Sequence, residues 1–299
     1  MKLRYMAMAA LTSVVWGLAF VATKLALQSF SASQLTALRF LIASLPVLIV
    51  PRPPIGWPML VTVGLTLFTG QFLLLFFAFE QGLSPGLASV TQQMQVFFTV
   101  ALAAVWLGDL PGVRQCIGMV VAFGGLLLIG LTVGDDLRPV ALALALGGAF
   151  SWAVGNVLVK RLPGVPVFPL IVWASLVPPL PALALSAVKG EPPLWDAGAG
   201  ASWIAVCGAV YLGAAATMAY AIWGRLLQRF PAGAVAPFAL LSPCVGVLAS
   251  ALAFGEVFAP ARLGGMALIV AGVAIVILPI RRMAERPAEA GRDGWQKTP

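Results

Sequence analysis

The sequence predicts an all-α membrane protein, with ten transmembrane helices arranged as two inverted five-helix repeats. Three observations carry that expectation. The 299 residues are 61% hydrophobic and only 9% charged, whereas about a quarter of a soluble domain is charged. Apolar runs of roughly twenty residues, the length that crosses ~30 Å of hydrocarbon, recur almost end to end. A long-range repeat is also visible. The stretch 85–126 returns 147 positions later, at 232–273, with Gly86 on Gly233, Gly108 on Gly255, Asp109 on Glu256, Gly118 on Gly265, Met119 on Met266 and Gly125 on Gly272. A repeat of this length marks a duplicated structural unit, and in a membrane protein it places the site between the halves.

The helices are expected at about 5–27, 32–50, 57–80, 84–107, 112–131, 138–160, 166–187, 199–227, 232–254 and 260–280. Each break has a chemical cause. The serine-rich run 29–33 stops one helix and caps the next. Pro51, Pro53 and Pro54 cannot continue a helix. Gly82–Pro85 and Asp109–Gly112 read as turns. The Gly134–Pro139 stretch separates the halves, and Lys189–Pro193 opens the longest loop. Pro231 and Pro260 stand where helices begin. The domains follow: 1–133 and 138–280 as the two repeats, and 281–299, charged and poor in apolar residues, as a disordered cytoplasmic tail. The segment after Met1 is too long for a signal peptide core and reads as a retained first span.

Ten spans put both termini on one side. If that side is the cytoplasm, its short segments carry Lys2, Arg4, Arg52, Arg114, Lys160, Arg161, Arg225, Arg229 and the basic residues of the tail. The opposite side carries only Lys24, Arg138, Lys189 and Arg262. The bias fits the positive-inside rule and makes both ends cytoplasmic. Five helices per repeat is an odd number, so the halves cross in opposite directions. The net charge of +8 thus reflects orientation in a bilayer, not nucleic-acid binding. Cys116, Cys207 and Cys244 lie in apolar segments at unrelated spacings and indicate neither a metal site nor a disulfide framework.

The first helices of the halves repeat at a spacing of 136. Trp16, Phe20 and Lys24 share one helix face, as do Trp152, Asn156 and Lys160. Together with ALRF (37–40), GQFLLLFFA (70–78), GLASVTQQMQVFFT (86–99), AFSWAVGN (149–156), YAIWGRLLQRF (220–230) and VAPFALLSPCVG (235–246), the run VVWGLAFVATK (14–24) resembles the ten-helix, EamA-type exporters of the drug/metabolite transporter superfamily. Within these the resemblance is to exporters of O-acetylserine, cysteine and other amino acids. It implies export from the cytoplasm across the inner membrane, often in exchange for protons. Its implied partners are a small solute and the lipid bilayer. Such exporters often have Asn-Phe where this chain has Ala19-Phe20.

The residues themselves nominate a site. An ionised side chain inside hydrocarbon costs at least ~2.5–3.5 kcal/mol, so it needs a partner or a purpose. Arg39, some eight residues into its helix, suits a substrate carboxylate, or else a structural pair. Gln92 and Gln95 lie one turn apart at ~12–17 Å along their helix, near mid-bilayer, and buried amides need partners. Gln71, Asn156 and Ser242 are further polar candidates, the last followed by Pro243, which frees a backbone carbonyl. Trp16, Trp152, Tyr220 and Trp223 offer an aromatic wall or ordinary packing, Phe20 shares the helix face of Trp16, and Lys24 divides evenly between a site role and snorkelling. Glu80 reads as a solvated helix end or a proton-coupling acid. Asp109 and Glu256 read as partners of the nearby Arg114 and Arg262.

The chain has no histidine, no phosphate-binding loop and no nucleophile–base constellation, so no enzymatic reaction and no cofactor are expected. The reading is a secondary transporter that exports small amino acids or related metabolites by alternating access. A nucleotide-sugar carrier of the same superfamily and a non-transporting membrane scaffold are the alternatives.

Overall fold

In the computed structural model, residues 3–108, 110–131, 138–162, 164–229, 238 and 241–277 are described. The expected tail, the junction between the halves, Asp109 and the approach to the ninth expected helix lie outside the described residues. Among the described residues the chain is helical, without a β-strand. The first half contributes α1 (Leu3–Ala26), α2 (Ala32–Ser44), α3 (Trp57–Glu80), α4 (Pro85–Thr91), α5 (Met94–Leu107) and α6 (Val113–Gly130). The second contributes α7 (Pro139–Lys160), α8 (Val167–Ala174), α9 (Pro179–Val188), α10 (Leu194–Ala199), α11 (Trp203–Val210), α12 (Ala216–Arg229), α13 (Leu241–Phe254) and α14 (Pro260–Ile277). Among the described residues, five segments are long and apolar enough to cross a membrane: α1, α3, Pro139–Val159, Val167–Val188 and Trp203–Tyr220. Five shorter apolar helices accompany them.

The caps are those the serines and prolines dictate. Ser31 caps α2, with its hydroxyl accepting from Gln34 N and the Gln34 amide accepting from Ser31 N, a complete capping box. Ser84 caps α4 with Pro85 in its first turn. The second expected helix is shorter than foreseen and tightens into a 3₁₀ turn, Leu45–Leu48, where Pro46 removes a donor. The seventh is split at Ser175–Pro178, with two prolines at the head of α9. The fourth is split at Gln92–Gln93, where Gln93 N and Gln95 N reach back only three residues, to Val90 O and Gln92 O. The polar triplet, read as part of a continuous helix, instead sits at an interruption.

Two π-helical stretches aim the side chains. One runs Gly64–Gly70 inside α3, and the other runs Tyr211–Ala215 between α11 and α12. They begin 147 positions apart, the repeat interval. A π turn shifts the hydrogen-bond register and exposes backbone carbonyls. The freed Thr66 carbonyl accepts from the Ser151 hydroxyl at 2.7 Å. Gly155 presses against the backbone of Leu67, and Gly148 against that of Gln71, so α3 and α7 meet backbone to backbone. At the second stretch, Gly213 lies against Ile42 and the Arg39 carbonyl, which fixes α2 beside the π turn between α11 and α12.

Helices α6 and α14 pack in the same close manner. A Cβ on Gly125 would lie 2.5 Å from Gly265 O, and one on Gly272 would lie 2.5 Å from Gly118 O. The residue number rises along α6 as it falls along α14, so the two helices run antiparallel. Gly265 and Gly272 are the 147-offset counterparts of Gly118 and Gly125. Each glycine therefore meets the counterpart of the other, the reciprocal contact that a two-fold relation produces. Small residues are what permit this approach in a membrane helix pair.

Candidate functional site

A cavity of about 120 Å³ lies where α1, α2, α3, the α4–α5 interruption, α7, α12 and α13 converge. That is room for about four waters, or for one small solute. Nine of the eleven residues nominated from sequence line it: Trp16, Phe20, Arg39, Gln71, Gln92, Gln95, Trp152, Tyr220 and Ser242.

Arg39 dominates the electrostatics. It is 5% exposed, and its guanidinium lies 3.8 Å from the centroid of Phe72 and 5.4 Å from that of Phe40. The stacking stabilises a cation as a desolvated cation–π pair does but leaves its charge uncompensated. Among the described residues no carboxylate comes within ion-pair distance of it. The described acids that make side-chain contacts are engaged elsewhere. Glu80 accepts from Ala32 N at 2.6 Å, which caps α2 and matches the solvated helix-end reading. Glu191 takes Ser31 and Lys189. Glu256 pairs with Lys24 at 3.4 Å, where the sequence had suggested Arg262.

Part of the lining is aromatic. Trp16 stands 5.1 Å from both Tyr220 and Trp223, ring centroid to centroid, and its buried indole Nε1 has no hydrogen-bond partner. The amides complete the lining. Gln71 is 3% exposed and makes no side-chain hydrogen bond with a described residue. Gln92, also 3% exposed, donates Nε2 to Ala145 O at 3.0 Å. Gln95 accepts from Asn156 Nδ2 at 3.1 Å.

Two nominated residues stand outside the wall. Lys24 sits one residue beyond the lining Thr23, turned to Glu256 and over the Phe254 ring at 4.2 Å, because a carboxylate and an aromatic face outcompete a cavity that already holds a cation. Asn156 lies behind Gln95, held also by Thr99 Oγ1 at 3.3 Å. Among the lining residues not nominated are Thr23, Phe72, Phe76 and Gln93. Phe72 and Phe76 gave no signal because an aromatic in an apolar helix is ordinary core. Gln93 was visible in the polar triplet, but continuous helical periodicity turns it away from Gln92 and Gln95. Only the interruption brings all three to one place.

A fixed cation, amides and aromatic faces around a small hollow can bind a compact polar solute but supply no nucleophile–base pair or metal ligand set among the described residues. Residues 3–131 and 139–278 each match the model of the EamA-like transporter family. The chain belongs to that family. Its relatives include a probable amino-acid metabolite efflux pump of Salmonella typhimurium, 36% identical over 283 residues, covering 92% of this chain and 95% of the relative. An Escherichia coli protein of the same description is 34% identical with the same coverage. A probable terminal-alkyne amino-acid exporter of Streptantibioticus cattleyicolor is 29% identical, covering 95% of this chain and 96% of the relative. One solved crystal structure shares the fold, with a TM-score of 0.62 at 20% identity over 92% of this chain and 96% of that one. This EamA-family chain is therefore a multi-pass membrane transporter acting on a small molecule, within the drug/metabolite exporters, and not an enzyme.

Proposed function

We propose that the protein exports small amino acids or related metabolites of the cysteine and O-acetylserine type from the cytoplasm across the inner membrane, by alternating access around the central cavity. The observation that carries this reading is Arg39. A buried guanidinium with no described acid beside it, lining a hollow sized for one small solute, suits a carboxylate brought by the substrate. The amides and the Trp16–Tyr220 wall suit the remainder of such a molecule. The relatives described as amino-acid metabolite efflux pumps support the same class.

Two inverted five-helix halves rocking about this cavity supply the conformational cycle. The antiparallel, reciprocal glycine contact of α6 and α14 supports that inversion, as does the recurrence of a π stretch at the 147-residue interval. The charge bias supports cytoplasmic termini.

The test is counterflow of labelled amino acids into proteoliposomes holding the purified full chain. Wild-type protein is expected to exchange small amino acids above protein-free liposomes, and Arg39→Leu to lose at least about tenfold in exchange. No exchange by the wild type, or full exchange by a correctly inserted Arg39→Leu, rejects the proposal.

A further inference from the structure

The hydrogen bonds behind the two cavity glutamines fix which end of each amide the protein uses and which end is left over. Thr99 has one hydroxyl proton, and Thr99 Oγ1 donates it to Gln95 O at 2.7 Å. Asn156, 3.3 Å from that hydroxyl, must therefore donate to it, which identifies the near atom of Asn156 as Nδ2. The same Nδ2 lies 3.1 Å from the Gln95 side chain, so the Gln95 atom there is the acceptor Oε1. What Gln95 has left for the cavity is its amide nitrogen, a donor.

Gln92 is fixed the other way. Its contact at 3.0 Å is the Ala145 carbonyl, which only accepts, so Gln92 spends its nitrogen on the protein. What remains is Oε1, buried and without a hydrogen-bond partner. An orphaned buried carbonyl costs free energy until a donor reaches it. Two glutamines about one turn apart thus carry opposite polarity.

We propose that this pair reads the substrate's two ends: Gln92 Oε1 accepts from the amine, while Gln95, held by Asn156 as a positioning residue, adds an amide donor to Arg39 for the carboxylate. The site would then favour molecules that carry a donor next to an acceptor, as α-amino acids do, over carboxylates without an amine. This rests on the central cavity being the substrate site, and it adds the residues that impose the choice.

The test compares L-alanine with propionate, which differ only in the amine, as competitors of labelled L-alanine counterflow and in direct binding to the purified full chain. The wild type is expected to prefer alanine by about tenfold or more. Gln92→Met removes the acceptor at nearly constant volume and should bring the ratio close to one, mainly by weakening alanine. Gln92→Asn keeps both the amide donor and the amide acceptor and should keep the preference. Asn156→Asp cannot donate, so Gln95 must turn its nitrogen away from the cavity. Both solutes should then weaken together by about tenfold with their ratio unchanged, a pattern that a packing defect confined to the amine side does not give. A ratio unaltered in Gln92→Met, or lost equally in Gln92→Asn, overturns the proposal. If Arg39→Leu abolishes binding while Gln92→Met keeps the ratio, the cavity remains the site and only the amine reading falls. If the wild type binds neither solute, both readings fall.

Discussion

Arg39 and Lys24 are both cations on apolar helices, and the structure gives them different work. Arg39 is stacked on Phe72 and has no counter-ion among the described residues. Its charge is therefore available to a ligand and expensive to leave alone. Lys24 is 39% exposed at its side chain and already has Glu256, itself 12% exposed. An ion pair open to this degree contributes only about 0–1 kcal/mol. Lys24→Met should accordingly change the half-saturating concentration of substrate by less than about twofold in proteoliposome exchange. A loss comparable to that of Arg39→Leu would place Lys24 in the site after all. Gln92 shows why residue type alone is not enough. The sequence marks it as a buried amide, but which of its atoms is spent on Ala145 O depends on a helix 53 positions away.

At the scale of elements, the site is made by departures from regular helix. The interruption at Gln92–Gln93 and the π stretch before Gln71 turn polar side chains inward at mid-helix. Glycines then let the neighbouring helices close over them. Gly125 and Gly124 make a direct test of that role. A side chain at Gly125 meets the α14 backbone, whereas one at Gly124 meets nothing within 4 Å. Gly125→Leu should destabilise by at least about 1–3 kcal/mol, read as a lower melting temperature in detergent, and Gly124→Leu should leave the melt unchanged. Equal melts for the two variants would remove the α6–α14 contact from the account.

The α9–α10 loop is tied to α2 in a different way. Burial works to raise the Glu191 carboxyl, but hydrogen bonds from Ser31, Ser186 and Lys189, with the Lys189 charge, outweigh it and hold its pKa below 4.5. A lowered folded-state pKa means that the tie stabilises above the ordinary carboxylate value and is lost as pH falls through the lowered one. The melting temperature of the wild type should therefore fall more steeply below about pH 4.5 than that of Glu191→Gln. Parallel curves would show that the tie does not contribute.

For the whole molecule, the proposed inversion makes a geometric prediction. With Cys116, Cys207 and Cys244 replaced, cysteines placed at Arg4 and at Arg286 should react with an impermeant thiol reagent from the cytoplasmic side only. One placed at Lys189 should react from the opposite side only. Termini labelled from different sides would rule out ten spans. The pairing of α6 with α14, of α3 with α7 and of α1 with α13 runs between the halves, so neither half encloses the cavity alone.

The sequence by itself determined the membrane class, the all-helical character and most of the cavity wall, because bilayer length, helix-breaking prolines and the cost of buried polarity act on local residues and leave local marks. Nine of the eleven nominated residues reached the cavity on that basis. What only the tertiary structure decided was contact between distant segments. It turned Lys24 to Glu256, set Asn156 behind Gln95, seated Arg39 on Phe72 and broke the helix at Gln92–Gln93. Each of these depends on a partner helix whose nearness no local pattern records, since side-chain orientation is fixed by whichever donor, acceptor or ring the packing brings within reach.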